Sequence, residues 1–219
     1  MKLSVVTVAY NAEATIAAAV ESVVGQRRNG FELEYIVVDG ASTDGTLQVL
    51  EPWRDRIDRI ISEPDKGLYD AMNKGWRAAT GDAVAFLNSD DVYADDRVLE
   101  RVAAAFARGV DGVYGDLVYV DGERVTRRWI SGTYVQGAFR RGWMPPHPTF
   151  FARRRAFEQW GGFRTDLRSA ADYELMLRFI HREGLTLDYV PEVLVRMQVG
   201  GLSNASWRNR LRANREDRA

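Results

Sequence analysis

The sequence predicts an α/β fold in which a mostly parallel central sheet is flanked by helices and a second half adds strands of mixed direction. Three observations carry this. Residues 3–9 are rich in β-branched residues, E-Y-I-V-V-D reads as a second strand, and V-A-F-L (84–87) is a continuous apolar run, as a strand covered on both faces requires. Segments of helical length separate them, and strands alternating with helices imply βαβ units. After residue 110 the rhythm changes to a hairpin and a long loop, which a purely parallel sheet does not contain.

The elements follow in order. Residues 3–9 form the first strand, and Asn11 is expected to cap a helix over 12–24, with Glu13 near its positive end. A second strand covers 34–39, then the turn G-A-S-T-D-G-T leads into a helix over 46–53. A third strand covers 58–62 and a helix runs over 68–79, ended by Gly81. The fourth strand, A-V-A-F-L, breaks off into N-S-D-D. A helix over 97–107 precedes a hairpin turning at Asp121 and Gly122. Residues 132–148, rich in Gly, Pro and Arg, read as a long loop, and loops of that length are usually functional. A strand over 149–152, the turn W-G-G-F, a helix over 171–182 and a strand over 187–195 complete the order before a polar tail. No linker divides the chain, so one domain is expected over 1–219: a ligand-binding half (1–110), a second half (111–203) and the tail (204–219).

Composition narrows the function classes. A chain of 219 residues with 46% hydrophobic and 28% charged residues has the make-up of a globular domain with a real core. Its net charge of −1 offers no general field for nucleic acid. The absence of cysteine excludes disulfides and thiolate metal sites and suits a reducing, cytoplasmic setting. The apolar run at the start ends at Tyr10 and Asn11, too short for a signal peptide, and no stretch of 18 apolar residues exists to span a membrane.

All four strands of the first half deliver polar residues to one rim: T-V-A-Y-N, V-V-D-G-A-S-T-D-G-T, E-P-D-K-G and N-S-D-D. The crevice beyond the carboxyl ends of such strands is where open α/β sheets bind ligands. Adjacent carboxylates Asp90 and Asp91 repel unless solvated in a turn or shared by a cation, and oxygen ligands of this kind suit Mg²⁺ or Mn²⁺. Asp39, at a strand terminus, either closes an Asx-turn or accepts hydrogen bonds from a base or ribose. Lys66 and Lys74, beside glycines, are either solvated or meet a diphosphate. There is no G-x-x-x-x-G-K-[ST], and no G-x-G-x-x-G follows the first strand, so neither a P-loop nor a dinucleotide fold is supported.

This series, with D-K-G-L-Y-D-A-M-N-K-G, H-P-T-F-F, W-G-G-F and A-A-D-Y-E-L-M-L-R, resembles the family 2 glycosyltransferases of GT-A fold over about residues 1 to 203. The resemblance implies a nucleotide-sugar donor, usually a UDP- or dTDP-sugar, a divalent metal (Mn²⁺ or Mg²⁺), and inversion at the anomeric carbon. It implies that Ala9 and Asp39 meet the base, with Tyr10 close by and Lys66 and Asp70 further along the donor cleft. Asp90 would lie toward the ribose and Asp91 on the metal and diphosphate. Many relatives have aspartate where this chain has Asn88. Asp172 matches the catalytic base, preceded here by Ala171 where relatives often have glutamate; as a bare residue it also suits the positive end of a helix.

The chemistry explains these types. An acceptor hydroxyl attacks the sugar carbon as the nucleoside diphosphate departs, a carboxylate takes its proton, and a cation offsets the charge left behind. His147, in P-P-H-P-T, is either a structural hydrogen-bonder or a further ligand for metal or diphosphate. Gly200, Gly201 and Ser203 resemble a G-G-x-S closing loop of relatives. Trp143 and Met144, flanked by Arg140 and Arg141, contact acceptor or lid, or pack. The acceptor implied is a saccharide or lipid-linked saccharide of bacterial surface polysaccharide or glycolipid assembly, met at the inner face of the membrane. Arginines 153–155 and 208–218 are solvated or touch anionic lipid. A non-catalytic nucleotide-sugar-binding module and a sugar nucleotidyltransferase are the rival readings.

Overall fold

The computed structural model describes residues 1–199, so the G-G-x-S segment and the basic tail lie outside the described residues. Among the described residues one sheet of nine strands runs through both halves. In chain order the strands are β1 (Lys2–Ala9), β2 (Glu32–Asp39), β3 (Arg59–Ser62), β4 (Ala83–Asn88), β5 (Asp91–Tyr93), β6 (Gly112–Asp121), β7 (Arg124–Trp129), β8 (Phe151–Arg153) and β9 (Leu187–Gln198). They are arranged β3-β2-β1-β4-β8-β6-β9-β5, with β7 paired to β6. The β3-β2-β1-β4 block is parallel, which sends the ends of these strands to one rim. β8 pairs antiparallel with both β4 and β6, and so joins the parallel block to the second half.

Two apolar layers cover the sheet, and strand alternation sorts side chains between them. Val5, Tyr35, Val37, Ala85 and Leu87 join one layer with helices α1 (Ile16–Val24) and α4 (Val98–Phe106). Val6, Val8, Ile36, Val38, Val84 and Phe86 join the other. Its helices are α3 (Leu68–Ala78), α5 (Arg154–Trp160) and α6 (Ala171–Met176), the last continuing as a wider π turn (Leu177–Arg182). Gly75 lets α3 lie close on β1, because a Cβ there would stand 2.3 Å from Val6 Cγ1. The continuous runs of the sequence are therefore buried on both faces.

Several boundaries differ from expectation. The first helix begins at Ile16, not residue 12, because Asn11 takes φ 48 and spends its carboxamide on Thr43 instead of a cap. Helix α2 (Thr46–Leu50) stops early, since Pro52 tightens the chain into a 3₁₀ segment, Glu51–Arg56. His147–Thr149 is a 3₁₀ turn, so β8 starts later than residue 149. Helix α5 and strand β5 were not expected at all. The hairpin turns where the sequence placed it, with Gly122 at φ 58. Among the described residues no helix is long and apolar enough to cross a membrane.

Candidate active site

At the rim of the parallel block the first two strand-end loops interlock. Asn11 N–H donates to Ser42 Oγ at 2.8 Å, and Thr43 N–H donates to Asn11 Oδ1 at 2.9 Å. Ala12 N–H reaches Thr46 Oγ1 at 2.8 Å, and Gly45 N–H reaches Glu13 Oε2 at 3.0 Å. Asn11 (φ 48) and Ala41 (φ 60) are the two non-glycine residues with positive φ among the described residues, and both lie here. Such strain persists only where surrounding bonds over-determine it, as these do.

Asp39 anchors the second loop. It is fully buried, and its carboxylate accepts Ser42 N–H at 3.1 Å, Ser62 Oγ–H at 2.7 Å, and the Ser42 hydroxyl. A carboxylate offers about four lone-pair sites, so about one is not used by these bonds. Ala9 lies beside Asp39 in the sheet, and its carbonyl accepts Gly40 N–H at 2.9 Å. Tyr10 is 62% exposed over this corner. A Cβ on Gly40 would lie 2.4 Å from Asp65 Oδ2 and 3.3 Å from Tyr10 Cδ2, so the loops after β1, β2 and β3 meet at that glycine.

From Asp65 the chain leads directly to the opposite wall. Asp65 accepts Gly67 N–H at 2.8 Å, and Asp70 accepts Lys66 N–H at 3.0 Å, closing the start of α3. Tyr69, one residue before Asp70, donates its hydroxyl to Asp172 Oδ1 at 3.1 Å. Burial and the Asp172 charge both push the Tyr69 phenol upward, so it holds its proton and donates. Asp172 sits in the first turn of α6. The segment 65–70 thus ties the Asp39 corner to Asp172.

His147 lies on the same wall. Its ring is buried, stacks on Phe86 of β4 at 5.8 Å and meets Phe163 edge-on at 5.5 Å. Burial holds it below the usual imidazole range against the opposing pull of Asp172, which keeps the ring neutral.

The acidic end of β4 divides in two. Asp90 is half-buried, and burial raises its carboxyl above the usual range. Asp91 is only 1% exposed and is pushed up to about 8 by burial and by Asp90 beside it. It begins β5 and accepts Asn88 Nδ2–H at 3.0 Å. Among the described residues Asn88 Oδ1 and Asp91 Oδ1 are buried acceptors with no hydrogen-bond partner.

Two expectations meet the structure differently. Lys74 stands against the β3–α3 loop of the rim, where its charge is already taken: its ammonium bonds Pro64 O at 2.7 Å and pairs with Glu63 at 3.0 Å. His147 does not join the acidic pair: among the described residues no three His, Cys, Asp or Glu side chains surround a common ion position, and its charged neighbour is Asp172. Lys66 is exposed. Tyr69, Ser42, Ser62 and Asp65 were missed. Tyr69 shares a helical face with Asn73 and Trp76 at i+4 and i+7, which marks it as inward-facing without showing what it meets.

Comparison with known proteins now bears on this cleft. Residues 4–171 match the model of Glycosyl transferase family 2. A Mycobacterium tuberculosis protein named PGL/p-HBAD biosynthesis glycosyltransferase is 32% identical over 208 residues, covering 92% of this chain and 78% of the relative. The putative glycosyltransferase EpsE of Bacillus subtilis is 32% identical over 186 residues, covering 81% of this chain and 66% of the relative. In structure, S. aureus TarS 1-349 in complex with UDP superposes with a TM-score of 0.74 at 24% identity, covering 91% of this chain. Mannosyltransferase PcManGT from Pyrobaculum calidifontis, in complex with GDP-Man and Mn²⁺, superposes with a TM-score of 0.71 at 22% identity, covering 95%. The present chain spans 61% and 60% of those two structures, and the likeness to them shows the fold.

Proposed function

Since the chain belongs to glycosyl transferase family 2 and is a glycosyltransferase, we propose that it moves a sugar from a nucleoside-diphosphate sugar to an acceptor hydroxyl with inversion. The observation that carries this reading is the linkage of two carboxylates: the loop after Asp39 meets Asp65 at Gly40, and residues 65–70 lead to Tyr69, which donates to Asp172. Asp39 keeps about one lone pair for a base N–H, beneath the exposed ring of Tyr10. Asp172, oriented by the Tyr69 hydroxyl, takes the proton of the attacking acceptor hydroxyl. Neutral His147 beside it leaves that carboxylate uncompensated by positive charge, which favours a base over an ion pair.

The end of β4 fits a divalent cation. Two buried oxygens without partners, Asn88 Oδ1 and Asp91 Oδ1, lie with the half-buried Asp90 in an all-oxygen donor set. Mg²⁺ and Mn²⁺ commonly take one or two carboxylates and complete their shell with phosphate and water. Asp90 is the more accessible of the two carboxylates, so it is the first ligand in this reading, with Asp91 and Asn88 behind it. When bound, the ion supplies charge neutralisation for the leaving diphosphate. A UDP- or dTDP-sugar donor, a saccharide or lipid-linked saccharide acceptor and a cytoplasmic setting belong to the same proposal.

Asp172→Asn tests it. Turnover of donor with a saccharide acceptor panel should fall by about 10³-fold or more, while calorimetric affinity for the nucleoside diphosphate stays within about twofold. Retained turnover removes Asp172 from the reaction. Release of pyrophosphate in place of nucleoside diphosphate would make the protein a nucleotidyltransferase.

A further inference from the structure

Between Glu123 and Glu158 the chain carries no acidic residue. Within that gap, residues 124–141 hold Arg124, Arg127, Arg128, Arg140 and Arg141, in a protein whose net charge is −1. The fold keeps this stretch outside. Residues 121–128 are all exposed, as are Arg140 and Arg141. Interleaved with the arginines are Val125, Ile130 and Val135, exposed by 39%, 62% and 60%. Arg127 is held flat over the rings of Tyr119 and Trp129, and Arg124 makes only a long pair with Asp121 at 3.5 Å. Among the described residues the guanidinium groups of Arg128, Arg140 and Arg141 have no hydrogen-bond or ion-pair partner.

The arginines at 153–155, which the sequence also offered for lipid contact, contrast with these. Arg153 bonds the Val110 and Phe106 carbonyls and lies over the Phe106 ring; Arg154 pairs with Glu158 and Arg155 with Asp111. Their charge is matched inside the fold.

Position adds a third observation. Across the sheet Asp91 pairs with Met197, Met197 with Tyr119, and Tyr119 with Arg127. The basic hairpin therefore ends one cross-sheet row whose other end is the acidic terminus of the cleft. Unpaired arginines beside exposed aliphatics suit an anionic bilayer surface, where guanidinium groups meet phosphates and the aliphatics enter the interface. A polyanion such as nucleic acid or an acidic saccharide matches the charge and leaves the aliphatics unexplained.

We propose that the β6–β7 hairpin and the loop after it are a docking surface for an anionic phospholipid bilayer, which holds the cleft at the membrane. The link to a lipid-carried acceptor rests on the function proposed above; the docking itself does not.

The whole 219-residue chain is sedimented with phosphatidylcholine vesicles with and without phosphatidylglycerol, at low and high salt. The wild type should bind only the anionic vesicles, and salt should weaken it. Arg128→Glu/Arg140→Glu should lower the partition coefficient by about tenfold or more. Arg28→Glu/Arg54→Glu, an equal charge change elsewhere, should stay within about twofold of wild type. Ile130→Ser should weaken the binding that survives at high salt. Unchanged melting temperatures establish that the variants fold. A wild type that ignores phosphatidylglycerol overturns the proposal, as does a hairpin variant that binds no worse than its control, which would place any binding in residues 204–219. Asp172→Asn should leave vesicle binding intact, so failure of the reaction and failure of docking are read separately.

Discussion

Replacing Gly162 by alanine tests how α6, and with it Asp172, is held against α3. The turn 160–163 is wedged between the two helices. On one side Asn73, buried to 4%, donates to Phe163 O at 2.8 Å and accepts Phe163 N–H at 2.9 Å and Trp76 Nε1–H at 3.0 Å. On the other, Arg178 of the π turn donates to Gly161 O at 3.1 Å, Gly162 O at 2.8 Å and the Trp160 carbonyl, and grips both oxygens of Glu174. A methyl group at 162 would stand 2.2 Å from Asn73 Oδ1 and 2.3 Å from Trp76 Nε1. Ordinary contact begins near 3.4 Å, so the amide must move by about an ångström and its three hydrogen bonds cannot all survive. At about 1 kcal/mol net each, Gly162→Ala should cost about 3 kcal/mol in urea unfolding. Asn73→Ala already lacks those bonds, so the double variant should be only about 1 kcal/mol less stable than Asn73→Ala, a coupling of about 2 kcal/mol. Turnover of Gly162→Ala should fall more than donor affinity, because the turn shared with Arg178 displaces the start of α6. Gly162→Ala within about 0.5 kcal/mol of wild type, or strict additivity with Asn73→Ala, would refute the wedge.

Other perturbations follow from the same geometry. Tyr69→Phe removes the hydrogen bond to Asp172; a bond to a charged group is worth about 1.5–3 kcal/mol, so kcat should drop at least about tenfold, and an unchanged kcat would mean that Tyr69 does not orient the base. Glu34, though burial pushes its carboxyl up, is brought down to about 2 by hydrogen bonds from Ser4, Thr80 and Lys2. That stability is complete above the ordinary 4.5 and lost as pH falls through about 2, so Glu34→Gln should remove about 2–3 kcal/mol at pH 7 and flatten acid unfolding between the two values. Ala41 holds φ 60, and Ala41→Gly should raise stability by about 0.5–1 kcal/mol, measured by urea midpoint at unchanged slope. Chelation by EDTA should weaken donor binding if Asp90 and Asp91 hold a cation, and unchanged affinity would argue against it.

Local signals carried the first half of the fold and stopped where distant partners decide. The buried strands, the parallel order and the hairpin at Gly122 were legible because period, length and turn chemistry agree over a few residues. Strand β5 was not, because Asp91, Val92 and Tyr93 become a strand only by pairing with β9, a hundred residues later. That pairing also buries Asp91, which a rim of exposed carboxylates did not foretell. Asn11 looked like a cap in isolation, and Thr43 supplied a better partner from across the cleft. Asp39 was correctly placed at a strand end, while its two serines come from the loop after β2 and from the end of β3. Lys74 showed the converse: a residue on the right helix whose neighbours, Pro64 and Glu63, take its charge.

The two outermost strands of the main sheet are β3, four residues long, and β5, three. Neither margin offers a template on which another polypeptide could add a lasting strand. Among the described residues a longer, solvent-facing margin is β7, and it carries Arg124, Arg127 and Arg128, whose mutual repulsion discourages copies from zipping together there. Neutralising those side chains to probe lipid contact would thus also remove a guard against fibrous self-association.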